Sequence, residues 1–215
     1  MLPLVLTDQI AANVLTAGYF VWLVPEIIHT FSHRIDVRSH ADDHYSNLVL
    51  RLCLLTSILS ANWLIRMQTW ATITWHPVLI FGIGIALVIG GVIFRWYAIY
   101  MLGQYFSVQL GVQPSQTVMT KGPYQWIRHP SYTGSLITML GFGFAFTNWL
   151  CLVSVPLIVF IGYSYRVNIE ERMLVTALGD SYREYMNHTK RFIPFVYRSG
   201  FHYFCIFPCP LVSVS

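Results

Sequence analysis

The sequence predicts an all-α fold: a polytopic membrane protein with about five transmembrane helices and a C-terminal cytosolic segment of interfacial helix. Only 10% of its 215 residues are charged, whereas a typical soluble domain carries about 25%. The charged residues also cluster, so that four long stretches contain no Asp, Glu, Lys or Arg. These stretches are residues 13–25, 52–65, 67–94 and 129–165. A mostly apolar segment of about 20 residues can cross a bilayer, which makes lipid the predicted surroundings.

Five spans are predicted from these stretches, at residues 10–28, 48–65, 78–101, 130–146 and 149–169. The first is not expected to be a cleavable signal peptide, because no positive charge precedes it and no small-residue cleavage site follows it. The third span contains Gly82, Gly84, Gly90 and Gly91. Since no strand precedes these glycines, they do not form a dinucleotide-binding loop; close helix packing is the expected role.

The last two predicted spans are expected to form a tight antiparallel hairpin with its turn at residues 146–149. That hairpin brings Arg128 and His129 close to Arg166, Glu170 and Glu171. Irregular backbone exposed to lipid is not tolerated, so the polar segment 103–128 is expected at the cytosolic surface or under protein. After Glu171 the helix is predicted to stop at Gly179. A new interfacial helix is predicted from a capping box at residues 181–184.

The positive charges predict the orientation. If the loop at residues 30–47 is cytosolic, twelve of the thirteen Lys and Arg residues lie on the inner side, and only Arg66 lies outside. The active site and the C-terminus are therefore expected to face the cytosol. Anionic lipid headgroups account for the formal charge of +4, and no nucleic-acid partner is expected.

The four cysteines do not have a metal-ligand spacing, and no metal site is predicted. Cys53 and Cys151 lie within predicted spans, and Cys205 and Cys209 lie in the C-terminal tail without a histidine cluster nearby.

Two polar groups of residues are candidates for chemistry. His129 precedes Pro130 at a predicted helix entrance, where free backbone N–H groups can bind an anion. A plain helix cap is the alternative interpretation, since His76-Pro77 opens another span without such neighbours. Arg166, Glu170 and Glu171 could bind a ligand, or they could be boundary charges that extend toward water. The residues alone leave both questions open.

An ordered series of motifs from residue 95 to residue 194 resembles the isoprenylcysteine carboxyl methyltransferase family. The upstream part comprises Arg95-Trp96 and Leu102-Gly103. The main motifs are Gly122-x-Tyr124-x3-Arg128-His129-Pro130-x-Tyr132, Arg166-x3-Glu170-Glu171-x2-Leu174, Leu178-Gly179-Asp180-x-Tyr182-x2-Tyr185 and Arg191-x2-Pro194. The resemblance covers about half of the chain.

The resemblance implies a pocket for S-adenosyl-L-methionine at the cytosolic boundary and methyl transfer to a lipophilic acceptor. The residues that it implies as cofactor contacts are His129, Tyr132, Glu170 and Glu171, with Tyr124 and Pro130 shaping the pocket. It implies that Arg166, as first choice, and Arg191 face the substrate. The resulting division is residues 1–94 as transmembrane helices on the lipid-substrate side, 95–198 as the methyltransferase core, and 199–215 as a divergent tail.

The acceptor is expected to enter sideways from the bilayer, while the polar cofactor arrives from the cytosol. The resemblance implies the carboxylate of an isoprenylcysteine-like substrate as the acceptor, and an arginine fork suits a carboxylate. Methylation of a phospholipid amine or of another small amine or thiol is the alternative. An NADPH-dependent membrane reductase is a further alternative, since membrane sterol reductases resemble this family in their C-terminal helices. A transporter or scaffold is disfavoured, because the last two spans carry no charge.

Overall fold

A computed structural model describes residues 2–32, 41–103 and 118–193, and every regular element within them is helical. The α-helices are α1 (Leu4–Thr7), α2 (Gln9–Ser32), α3 (Ala41–Met67), α4 (Pro77–Leu102), α5 (Pro130–Ala145), α6 (Trp149–Leu178) and α7 (Asp180–His188). Short 3-10 turns lie at Thr69–Ala71 and Gly122–Gln125. The all-α prediction is confirmed for these residues.

The chain is an integral membrane protein, and α2 to α6 occupy the five positions where spans were predicted. Within the described ranges, three segments are long and apolar enough to cross a bilayer: Tyr45–Met67, Pro77–Leu102 and Trp149–Leu178. The apolar part of α2, Gln9–Pro25, is shorter. Helix α5 has 16 residues and spans about 24 Å at a rise of about 1.5 Å per residue. Three spans are therefore supported by length and composition.

The tight turn predicted between α5 and α6 is confirmed. Thr147 has a positive φ of 48°, and the side chain of Asn148 caps α6 by accepting hydrogen bonds from the backbone N–H groups of Leu150 and Cys151. The carbonyl of Thr147 also accepts a hydrogen bond from the backbone N–H of Ile73 at 2.9 Å. The turn is thus fixed against the segment that joins α3 to α4.

Helices α4 and α5 pack closely through glycines. A Cβ atom on Gly91 would lie 2.6 Å from the backbone nitrogen of Thr138, and one on Gly84 would lie 2.5 Å from that of Ala145. Gly82 and Gly90 meet nothing within 4 Å among the described residues. The predicted packing role is confirmed for Gly84 and Gly91, while the other two glycines lie on the opposite, exposed face of α4.

The predicted stop at Gly179 is confirmed, and the following helix begins one residue before the predicted Ser181 and without the predicted capping box. Gly179 has a φ of 59°, and α7 begins directly after it at Asp180 without a side-chain cap. Gly179, with its positive φ, makes the turn between α6 and α7 within one residue. The carbonyl of Gly179 accepts a hydrogen bond from the backbone N–H of Arg183, so Gly179 rather than Ser181 is the residue that precedes the helix.

After α7, the chain passes alongside the start of α5. The backbone N–H of Arg128 donates to the carbonyl of Lys190 at 2.7 Å, and that of His129 donates to the carbonyl of Arg191 at 3.1 Å. These bonds hold Arg191 beside the helix entrance predicted to carry the chemistry.

Some predictions fall outside the described residues. They concern most of the polar segment (104–117), Pro194, and the tail 199–215 with Cys205 and Cys209. The polar loop predicted between the first two spans is shorter than expected, because α2 continues to Ser32 and α3 begins at Ala41.

Candidate active site

The two predicted polar groups of residues meet at one end of the helix bundle. Nε of Arg128, just before α5, lies 2.8 Å from Oε1 of Glu171 on α6. The α5–α6 hairpin makes this contact possible, since it returns the chain to the end of the bundle from which α5 started. The predicted convergence of the Arg128-His129 segment with the paired glutamates is therefore confirmed.

Glu171 is the buried centre of this cluster, and its side chain is only 5% exposed. Besides Arg128, the carboxylate accepts hydrogen bonds from Nη2 of Arg191 at 2.7 Å and from Nε of the same residue at 3.1 Å. Nε2 of His129 lies 3.4 Å from its Oε1. A buried carboxylate is costly unless it is paired, and here two guanidinium groups balance its charge.

Arg128 joins the helices of the site. Its Nη1 donates to the carbonyls of Met186 at 3.0 Å and Thr189 at 2.6 Å, at the end of α7. One guanidinium thus holds α6 through Glu171 and α7 through backbone carbonyls, a use of several donors that a lysine cannot reproduce. The sequence placed Arg128 in the converging group but gave it no contact with the cofactor or the substrate. Its position immediately before His129-Pro130 was the sequence feature from which this structural role could have been inferred.

A second polar chain runs from α3 through α6 and α5 to Glu170. Arg166 is 3% exposed, and its Nη1 donates to Oδ1 of Asn47 at 2.6 Å. Nε of Arg166 donates to the hydroxyl of Tyr132 at 3.0 Å. Tyr132 in turn donates its hydrogen to Oε2 of Glu170 at 2.8 Å. Tyr132 therefore lies between Arg166 and Glu170 in this chain of hydrogen bonds.

Aromatic rings stack beside this chain. The ring of Tyr132 lies between those of His129, with centroids 5.6 Å apart, and Tyr163, with centroids 4.7 Å apart. Sequence reasoning missed Tyr163, although it lies three residues before Arg166 and therefore on a neighbouring part of the same helix face. The stack fixes the ring of Tyr132 and hence the position of its hydroxyl.

Tyr124 and Pro130 are both buried, which agrees with supporting positions beneath the site. The hydroxyl of Tyr124 donates to the carbonyl of Ala98 at 3.3 Å, and its own carbonyl accepts from the hydroxyl of Tyr185 at 2.5 Å. Burial raises the pKa of the Tyr124, Tyr182 and Tyr185 phenols above their ordinary value. These groups therefore stay protonated at neutral pH and can donate hydrogen bonds.

The helix entrance at Pro130 offers fewer free donors than its sequence suggested. The backbone N–H groups of Tyr132 and Thr133 both donate to the carbonyl of His129, each at 3.1 Å. Proline itself has no N–H. Binding of an anion by several free amides at this position is therefore less favoured than binding by side chains.

Some residues of the cluster are accessible at the surface, and the others are buried. The side chains of Glu170 and Arg191 are 26% and 43% exposed, whereas Arg128, His129, Arg166 and Glu171 are buried. Within residues 2–32, 41–103 and 118–193, neither Oε1 of Glu170 nor Nη1 of Arg191 has a hydrogen-bond partner. The accessible edge thus offers one carboxylate oxygen and one guanidinium donor group on a rigid base.

The fold and this edge define a helical integral membrane protein with an ionic site at one end of its bundle. Residues 84–176 match the isoprenylcysteine carboxyl methyltransferase (ICMT) family. The matched segment is shorter than half of the chain and contains Arg166, Glu170 and Glu171. The segment ends before Arg191, so the last motif of the resemblance lies beyond the matched residues.

The curated relatives that the chain matches have names that belong to the same family. The protein-S-isoprenylcysteine O-methyltransferase of Xenopus laevis is 35% identical over 126 residues, which cover 58% of this chain and 42% of the relative. The human enzyme of the same name is 30% identical over 134 residues, covering 61% of this chain and 44% of the relative. The matched parts are thus less than half the length of these relatives.

A solved structure supports the fold. The structure described as the eukaryotic intramembrane Ras methyltransferase ICMT aligns with 90% of this chain and 70% of its own, at a TM-score of 0.62 and 21% identity. At that identity the match shows a shared helical architecture.

Proposed function

We propose that this protein is an S-adenosyl-L-methionine-dependent methyltransferase whose acceptor is the carboxylate of an isoprenylcysteine-like, membrane-resident substrate. The observation that carries the proposal is the accessible edge formed by Glu170 and Arg191 above the buried Glu171 cluster. The family match and the printed names of the relatives point to the same chemistry.

Glu170 fits a ligand that carries positive charge or hydroxyl groups. One of its oxygens is held by the Tyr132 hydroxyl, so the carboxylate has a defined orientation, and its other oxygen is available. The methyl donor carries an ammonium group and ribose hydroxyls, all of which donate hydrogen bonds. In this proposal Glu170 and Tyr132 contact the cofactor, the buried His129 and Glu171 hold the base of the pocket, and Tyr124 and Pro130 support it.

Arg191 fits the acceptor carboxylate. Two of its nitrogens are bound to Glu171, which fixes the guanidinium plane, and the exposed third nitrogen can donate to a substrate. Arg166, the first choice from the sequence, is buried and acts in this proposal by orienting Tyr132. The substrate-facing role therefore passes to Arg191.

The proposed reaction needs little acid-base chemistry. An α-carboxyl group has an ordinary pKa of about 3.5 and is ionised at neutral pH. Bound S-adenosylmethionine supplies an electrophilic methyl group, which passes from the sulfonium sulfur to a carboxylate oxygen while the sulfur keeps the bonding electron pair. The residues of the chain position the two reactants and exclude water, and such positioning can account for a large part of a rate enhancement.

We further propose how the protein lies in the membrane. All five long helices, α2 to α6, cross or enter the bilayer, and the ionic end of the bundle faces the cytosol together with the C-terminus. Residues 1–94 form the lipid-substrate side and residues 95–198 the methyltransferase core. The lipophilic acceptor reaches the site from the bilayer.

Cofactor binding tests the first half of the proposal. In calorimetric titration of detergent-purified protein with S-adenosylmethionine, Glu170→Gln is expected to weaken binding about tenfold, as loss of a charge-assisted hydrogen bond predicts. Glu184→Gln, the same change at an exposed position on α7, is the matched control and should bind like the wild type. Binding of NADPH without binding of S-adenosylmethionine would contradict the proposal.

Transfer of a labelled methyl group to a prenylated cysteine analogue tests the second half. Arg191→Ala is expected to raise the KM for the analogue about tenfold or more, because a charge-assisted hydrogen bond to a carboxylate is lost. The Kd for S-adenosylmethionine should change less than this KM, because Arg191 acts on the cofactor pocket only through Glu171. Arg183→Ala, which removes an exposed arginine of α7, should leave both constants unchanged. If wild-type protein methylates only phospholipid amines, the carboxylate acceptor is excluded.

A further inference from the structure

Helix α3 supplies two polar side chains to the candidate site. Oδ1 of Asn47 accepts a hydrogen bond from Nη1 of Arg166 at 2.6 Å, and the hydroxyl of Ser46 accepts one from the same nitrogen at 3.4 Å. Ser46 is fully buried and Asn47 is half-buried. Both residues lie outside the matched segment 84–176, so the comparison gives them no role.

The hydrogen bonds along this chain have a fixed direction. A guanidinium group can only donate, so Asn47 must turn its carbonyl oxygen toward Arg166. For the same reason, the Tyr132 oxygen must accept from Nε of Arg166. The phenolic hydrogen is then directed to Glu170 at 2.8 Å. The hydrogens of these three bonds, from Asn47 to the exposed carboxylate, are thereby placed.

The Asn47 contact also determines the plane of the guanidinium group. Nη1 is held by α3 and Nε by Tyr132, and two points on a planar group fix its rotation. The bond to Asn47 is charge-assisted, hence among the stronger hydrogen bonds in proteins. Without it, Nη1 loses its 2.6 Å partner and keeps the longer contact to Ser46 at 3.4 Å, so the guanidinium group that directs the Tyr132 hydrogen to Glu170 is held less firmly.

We propose that Asn47 is a positioning residue for the methyltransferase site, which acts through Arg166 and Tyr132 to orient the Glu170 carboxylate. This inference rests on the proposed function in that Glu170 is the group that contacts the methyl donor. It gives the N-terminal helices a part in the cofactor side of the site, in addition to the lipid-substrate side.

Steady-state kinetics of position 47 variants test the inference. Asn47→Leu keeps the size of the side chain but removes the acceptor, and kcat is expected to fall about 10- to 100-fold, as misplacement by about an ångström can cause. Asn47→Asp keeps an acceptor oxygen toward Arg166 and should retain kcat within about threefold. Asn62→Leu, the same change at an exposed position of α3, should match the wild type.

A double-mutant cycle separates positioning from general destabilisation. Tyr132→Phe removes the hydroxyl that Arg166 and Glu170 share, so Asn47→Leu should have little further effect on kcat in that background. A fully additive loss, or an Asn47→Asp variant as impaired as Asn47→Leu, would overturn the proposal.

A spectroscopic readout does not depend on activity. With 3-fluorotyrosine incorporated at position 132, the fluorine NMR signal of the purified protein is expected to shift in Asn47→Leu and to remain in place in Asn62→Leu. An unchanged signal in Asn47→Leu overturns the positioning role. If the wild type shows no methyl transfer, the proposed function fails, while this shift still decides whether Asn47 orients Tyr132.

Discussion

At the residue scale, the site consists of two neighbouring carboxylates in different environments. Glu171 is enclosed by Arg128, His129 and Arg191, while Glu170 is bound on one side by Tyr132 and is partly exposed on the other. The sequence predicted that both glutamates matter and that they meet the His129 segment. It could not separate their environments, because the difference depends on which carboxylate Arg128, His129 and Arg191 contact.

Conversion of each glutamate to glutamine is expected to give a different defect. Glu171→Gln leaves two guanidinium groups without their counter-charge, and breaking a buried ion pair costs about 3–5 kcal/mol of stability. Its thermal unfolding temperature in detergent should therefore drop clearly, whereas Glu170→Gln should unfold close to the wild type. Asp180→Asn, at an exposed position, is the control. Equal unfolding temperatures for Glu171→Gln and the wild type would contradict the role of Glu171.

The three buried phenols predict a loss of stability at alkaline pH. Burial raises the pKa of Tyr124, Tyr182 and Tyr185 in the folded protein, whereas the unfolded chain ionises near its ordinary pKa of about 10. The unfolded state then binds fewer protons than the folded state, so stability is full below about pH 10 and falls above it.

Denaturant unfolding at a series of pH values checks this expectation. Tyr182→Phe should make the decline above pH 10 shallower, because one of the contributing phenols is gone. A stability that stays constant up to pH 11.5, or a decline of equal slope in the variant, would show that these groups are not shielded as described.

At the scale of helices, hydropathy and turn residues determined the positions of the elements well. The ends of α4, α5 and the start of α6 differ by at most one residue from the predicted spans. The start of α7 also differs by one residue, but the predicted capping box does not form, because Gly179 precedes the helix without a side-chain cap. The contact between α3 and Arg166 was not predicted, since a single polar residue at a helix end does not reveal its partner 119 positions away.

The glycine contacts between α4 and α5 give a test at this scale. Gly91→Ala places a methyl group against the backbone of Thr138, a contact that only separation of the helices can relieve. A destabilisation of about 1–3 kcal/mol is expected from such overpacking. It should also reduce activity, because α5 carries Tyr132 into the site.

Gly90→Ala is the matched control, since it makes the same change one position away where no described atom lies within 4 Å. Thermal unfolding of the two variants in the same detergent compares them directly. If Gly90→Ala is the more damaging variant, α4 faces α5 with a different surface from the one described.

At the scale of the whole molecule, the ionic network lies at one end of the bundle and the α5–α6 turn at the other. The distribution of positive charge predicts that the ionic end faces the cytosol. Charge alone does not reveal which helices contact one another. The hairpin argument was needed to bring Arg128 and Glu171 together, and it succeeded because a turn of only a few residues leaves an antiparallel pair as the ordinary outcome.

Labelling of single cysteines in intact cells tests this orientation. In a chain whose native cysteines are replaced by serine, Trp75→Cys at the turn end should react with a membrane-impermeant maleimide from outside. Asp180→Cys at the ionic end should react only after permeabilisation. The reverse pattern would place the site on the outer face and contradict the proposed access for a cytosolic cofactor.

The most direct test of the central claim is ultraviolet cross-linking of labelled S-adenosylmethionine to the purified protein, followed by peptide mapping. The account predicts label in peptides that contain residues 129–132 and 163–171, with loss of labelling in Glu170→Gln and normal labelling in Glu184→Gln. Label confined to α2 and α3, or equal labelling of both variants, would show that the methyl donor does not bind where the helix entrance meets the paired glutamates.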